Sequence, residues 1–130
     1  MVIPTWRRVR PALVAGLLAL LASACAASST NTAPADPTAA AGQGLIAQKG
    51  CGGCHTVPGV AGANGVIGPS LAGVAARATI AGGAVPNTGP DDLKRWILNP
   101  PAVKPGTPMP NLGLSDDDAT KIVAYLETLK

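Results

Sequence analysis

The chain has 130 residues, enough for one domain, with 47% hydrophobic and 2% aromatic residues and a formal net charge of +3. Three of its ten Lys and Arg residues (Arg7, Arg8 and Arg10) precede an apolar segment that reads as a leader, and without them seven basic residues face seven acidic ones. A neutral domain lacks the basic footprint that nucleic-acid binding requires. With only Trp96 and Tyr125 as aromatics beyond the leader, it also has little bulk for a self-sufficient core.

Residues 1–24 have the layout of an export signal: a basic start, an apolar run over 11–21, then small residues. Leu21-Ala22-Ser23-Ala24-Cys25 resembles the lipobox of bacterial lipoproteins, in which the cysteine is diacylated and becomes the new N-terminus. Ala22-Ser23-Ala24 also fits ordinary A-x-A cleavage, which would release a soluble protein with a free cysteine. An uncleaved anchor is the third option, and the apolar run is short for one. Lipidation at Cys25 is the preferred reading, because it accounts for a cysteine otherwise left over in an exported chain. Arg7-Arg8 does not extend into a twin-arginine signal, so general secretion is expected. Beyond Cys25, residues 26–40 are Ala, Ser, Thr, Pro and Asn with the single charge Asp36, so 25–40 is expected to be a disordered tether.

The folded domain is expected over 41–130. Residues 42–49 suit a short helix carrying Leu45 and Ile46, ended by Gly50. Residues 56–68 are Gly- and Pro-rich loop with a turn at Asn64-Gly65, 70–77 suit a short helix, and 79–89 return to loop composition. Gly89-Pro90-Asp91-Asp92 is a helix start, with Pro at the first helical position and acids in the first turn. Leu93, Trp96 and Ile97 then share one face until Pro100 and Pro101 stop the helix. Residues 100–114 form a proline-punctuated, stiff loop that carries Met109. In the last helix Ser115 caps, Asp118 stands three residues on as in a capping box, and Leu114 can staple onto Ala119. Ala119, Ile122, Val123, Leu126 and Leu129 recur with a period of about 3.6 residues.

Chemistry concentrates at Cys51-Gly52-Gly53-Cys54-His55, the C-x-x-C-H sequence that attaches a c-type haem. Each sulfur must reach one of two vinyl groups on the same porphyrin edge, while the next side chain turns beneath the ring to meet the iron. Gly52 and Gly53 are expected to keep that turn free of bulk. A thioredoxin-like dithiol would want a βαβ pattern nearby, which is missing. A tetrahedral zinc site would want four Cys or His ligands, but His55 is the only histidine and Cys25 belongs to the leader. Met109 is the only methionine after the initiator and lies in a Pro-flanked loop rather than on an apolar helix face. His and Met are the axial pair of electron-transfer cytochromes c, so His55 and Met109 are the expected iron ligands.

With these residues the chain resembles class I cytochromes c, and more narrowly the cytochrome c domain fused to subunit II of some haem-copper oxidases. The likeness covers residues 42–130. It rests on Gly42 and Ile46, Cys51-Cys54-His55, Gly68-Pro69-Ser70-Leu71 with Arg77, Trp96 with Pro100, and the run from Lys104 through Pro105-Gly106-Thr107-Pro108-Met109-Pro110-Asn111 to Leu112. Ala124-Tyr125-Leu126 completes it.

The resemblance implies an all-α fold of three to five short helices wrapped round one covalent haem c, with Gly42 and Ile46 meeting Ile122 and Tyr125 where the first and last helices cross. It implies that the Pro69 carbonyl accepts the Nδ1 proton of His55, that Leu71 and Trp96 line the haem, and that Arg77 approaches a propionate. Lys94, Arg95 and Lys104 would border the haem edge and guide docking. The implied function is single-electron transport without enzymatic chemistry, outside the cytoplasm or on the outer face of the membrane, from a donor such as a quinol-oxidising complex to an acceptor such as a haem-copper oxidase. Two alternatives stay open: a five-coordinate sensor or peroxidase-like protein should Met109 be labile, and a fixed haem subunit of a respiratory complex.

Overall fold

A computed structural model describes residues 33–130. The export signal, Cys25 and the first part of the expected tether lie outside the described residues. Four α-helices carry the fold: α1 (Pro37–Gln48), α2 (Pro90–Leu98), α3 (Pro100–Val103) and α4 (Asp116–Leu126). Between α1 and α2 lie short 3-10 turns and one antiparallel ribbon of β1 (Thr79–Ile80) and β2 (Val85–Pro86), with Thr79 opposite Pro86 and Ile80 opposite Val85. This is the expected all-α arrangement of a few short helices, with a small ribbon added. Among the described residues no helix is long and apolar enough to cross a membrane.

The first helix begins earlier than its composition suggests. Residues 37–41 were expected within or beside the tether, but they are helical. Asp36 stands in extended backbone and its carboxylate accepts from the Thr38 N–H at 2.9 Å, while Pro37 at the first helical position has no N–H to satisfy. Ala39 is then fully buried, which gives the added turn a tertiary contact that a tether would lack. Lys49 caps the far end, and Gly50 leaves the helix at φ 74°.

The main packing of the fold is α1 against α4, with α2 also on α4. Gly42 makes the first contact possible: a β-carbon there would overlap the Lys121 carbonyl oxygen and press on the Ile122 nitrogen. Ile46, Ile122 and Tyr125 are buried at this junction, as the resemblance implied, and the Tyr125 hydroxyl donates to the Pro58 carbonyl oxygen. Ser115 caps α4 by accepting from the Asp118 N–H at 3.0 Å. The Asp118 carboxylate turns to the other helix and pairs with Lys49 at 3.1 Å.

Three expectations for the middle of the chain need correction. The segment expected as a helix over 70–77 forms only the 3-10 turn Val74–Ala76, because Gly73 enters it from the left-handed region at φ 68°. The expected loop over 79–89 contains the ribbon, which buries Ile80 and Val85. The stiff loop over 100–114 opens with α3, where Pro100 and Pro101 stop α2 yet start a new turn: prolines there need no donor, and the Asn99 side chain accepts from the Ala102 N–H at 3.4 Å.

Candidate functional site

The attachment sequence is built as one tight turn. Cys51–Gly53 form a 3-10 turn, and the Cys51 carbonyl accepts from the N–H groups of Cys54 at 3.2 Å and His55 at 3.0 Å. Residues 56–68 fold back over it. Gly65 donates to the Gly52 carbonyl at 3.0 Å, Gly68 to the Cys54 carbonyl at 2.8 Å, and the Thr56 hydroxyl to the Gly65 carbonyl at 3.0 Å. Of the two glycines inside the motif, only Gly52 meets a neighbour, since its β-carbon would lie 2.7 Å from Ala63; one at Gly53 meets nothing. The expectation that both keep the turn free of bulk therefore holds at Gly52 alone.

His55 is held from two sides. Its Nδ1 lies 2.7 Å from the Pro69 carbonyl oxygen, which fixes Nδ1 as the protonated nitrogen and leaves Nε2 as the free donor of a lone pair. Gly68 lies flat against the ring, and a β-carbon there would overlap it. Pro69 thus occupies the place that the resemblance assigned to it.

Cys51, Cys54, His55 and Met109 all open onto one cavity of about 500 Å³. Leu71 and Trp96 line it, and so do Ile46, Ile80, Ile97, Leu112 and Leu126, none of which sequence reasoning placed at the haem. Ile80 was hidden because its two-residue strand has no period to detect, whereas Ile97 was visible on the α2 stripe but without a direction. Met109 reaches the cavity from the loop after α3, and its own N–H donates to the Thr107 hydroxyl at 3.3 Å.

Among the described residues, only two charged side chains, Arg77 and Lys104, stand on the cavity wall. Arg77 donates to the carbonyls of Ser70 at 2.5 Å and Ala72 at 2.8 Å. The Lys104 ammonium donates to the Ala81 carbonyl at 2.9 Å. Lys94 and Arg95, expected beside the same opening, are not on the wall. They pair with Asp116 at 2.8 Å and Asp92 at 3.1 Å respectively.

The donor set decides what the cavity can hold. Burial pushes the Cys51 thiol above its ordinary value; the nearby Cys54 adds to this, and a backbone hydrogen bond opposes it. A redox-active C-x-x-C pair depends on the opposite shift. Among the described residues no three His, Cys, Asp or Glu side chains are grouped to hold a bare metal ion. Two thiols on one turn, an oriented imidazole and a thioether round an apolar cavity do fit a porphyrin bound through both sulfurs. Fold and site together define a helical c-type haem domain.

Comparison with known proteins agrees. The cytochrome c family profile matches residues 39–130, and the chain belongs to that family. It is 34% identical over 118 residues to a cytochrome c homolog of Bradyrhizobium diazoefficiens, a match covering 82% of this chain and 63% of the relative, so the chain spans less than two thirds of that protein's length. The cofactor is covalently attached haem c, and Cys51 and Cys54 stand in its attachment sequence.

Proposed function

We propose that the protein is a monohaem carrier of single electrons in a respiratory chain, with His55 and Met109 as the two axial ligands. One observation carries this reading: His55, oriented by its Nδ1 bond to the Pro69 carbonyl, and Met109 line the same apolar cavity as the two attachment cysteines. When bound, the haem supplies a one-electron iron couple. Cys51 and Cys54 fix its edge, and the Pro69 carbonyl orients His55 and raises its basicity. The Met109 thioether favours a higher potential than a second imidazole would, which suits delivery to a terminal oxidase. With His55 and Met109 both holding the iron, no position on it would be left for substrate.

The finer assignment follows from resemblance to the oxidase-fused domains: a quinol-oxidising complex as donor and a haem-copper oxidase as acceptor. Export and lipid anchoring at Cys25 would place the carrier on the outer face of the cell membrane. A reduced-minus-oxidised spectrum with redox titration, on membrane and soluble fractions, tests the reading. A low-spin spectrum with the weak sulfur-to-iron band at its red end, in the membrane fraction, is the expected result. High-spin iron at neutral pH would move the protein to a five-coordinate sensor or peroxidase, and a covalent haem stain retained after Cys51→Ala with Cys54→Ala would overturn the attachment.

A further inference from the structure

The loop that carries Met109 is poorly tied to the rest of the fold. Pro105, Pro108 and Pro110 have no N–H to donate. The other hydrogen bonds of residues 104–114 are local: Lys104 N–H to the Pro100 carbonyl at 2.9 Å, Thr107 N–H to the Lys104 carbonyl at 3.1 Å, Met109 N–H to the Thr107 hydroxyl, and Gly113 N–H to the Asn111 side chain at 2.8 Å. Among the described residues, one hydrogen bond alone crosses from this loop to a distant part of the chain. It is the bond from the Lys104 ammonium to the Ala81 carbonyl, 23 residues away, at the edge of the cavity.

The acceptor end is unusual as well. Ala81 is the only described non-glycine residue with a positive φ, at 56°, a conformation that persists only where its surroundings over-determine it. Gly82 follows at φ 66°, with the space of its missing β-carbon 3.2 Å from the Lys104 ammonium.

We propose that Lys104 is a positioning residue that latches the Met109 loop onto the β1–β2 turn, so that the strength of methionine ligation depends on this bond. The donor is charged and half-buried, which makes such a bond stronger than a neutral one on the surface. Its loss leaves the loop held by side-chain packing at Met109 and Leu114. The inference rests on Met109 being an axial ligand.

The test uses the haem-loaded protein in its ferric form and follows displacement of methionine by added imidazole. Lys104→Met keeps the stem and removes the donor, and it should bind imidazole about tenfold more tightly, a change of about 1.4 kcal/mol in loop closure. Lys104→Arg restores a charged donor and should return the affinity to within about twofold of wild type. Lys94→Met, which breaks the distant pair with Asp116, should leave it unchanged. In urea, Lys104→Met should lose the sulfur-to-iron band well before its helical circular dichroism. If Lys104→Met does not accumulate with haem attached, Gly82→Ala, which presses on the same ammonium, is read in the same way. Unchanged imidazole affinity alongside an intact sulfur-to-iron band would overturn the latch alone. A wild-type protein without that band would overturn Met109 ligation, and the latch with it.

Discussion

At the scale of single residues, the site depends on close approaches that only hydrogen in place of a β-carbon allows. Gly68 and the Pro69 carbonyl clamp His55 between backbone and hydrogen bond. Gly68→Ala should therefore cut the yield of haem-stained protein severalfold, whereas Gly53→Ala, with open space at its β-carbon, should leave it unchanged. Gly42→Ala drives a carbon into the Lys121 backbone at the α1–α4 crossing and should cost about 1–3 kcal/mol or more by urea unfolding, the usual range for overpacking. The chemical residues were legible because their types are scarce. A single histidine, a single internal methionine and two cysteines three apart leave few ways to ligate iron. The lysines were not legible in the same way. Lys94, Arg95 and Lys104 look alike in a sequence, and only the fold shows two of them paired with aspartates and the third bonded to a carbonyl.

At the scale of elements, helix starts carry much of the organisation. Three aspartates occupy the first turn of α4, where the helix dipole favours them, and each pairs with a lysine: Lys94 with Asp116, Lys121 with Asp117, Lys49 with Asp118. The Lys49 ammonium bonded to Asp118 is the main reason its carboxyl lies below the ordinary value. A carboxyl lowered on folding stabilises the native state above its unfolded pKa and gives that up as pH falls through the folded one. Asp118→Asn should accordingly lower the urea midpoint at neutral pH, and the gap to wild type should close below about pH 4. Ser115→Ala should cost about 1 kcal/mol at any pH, as loss of a helix cap usually does. The start and stripe of α4 were readable because cap, acids and apolar period all agree. The start of α1 was not: Asp36-Pro37-Thr38 is a sound cap signal, but it sits in Ala, Thr and Pro whose composition points to a tether. The ribbon and α3, at two residues per strand and four residues, are too short for any period to mark them.

At the scale of the whole molecule, the cavity is too large for a domain of this size to keep empty. Without the haem, the apolar walls of a cavity of about 500 Å³ would be left facing water in a domain with little other core to offset them. Cys51→Ala with Cys54→Ala should therefore lose cooperative thermal unfolding along with its haem, read by far-ultraviolet circular dichroism. Around the opening the exposed residues Ile67, Pro69, Pro108 and Pro110 are uncharged, and the two wall charges, Arg77 and Lys104, are each bonded to backbone carbonyls, so electron transfer to a partner should change only modestly with ionic strength, in contrast to a charge-steered pair. The capped start of α1 has one more consequence, for reach. If Cys25 carries a lipid, the chain between anchor and domain ends at Asp36 rather than at residue 40, leaving 11 links. Even fully extended these span no more than about 40 Å. The domain would then begin within that distance of the bilayer, sampling neighbours in the plane of the membrane rather than partners deep in the surrounding space.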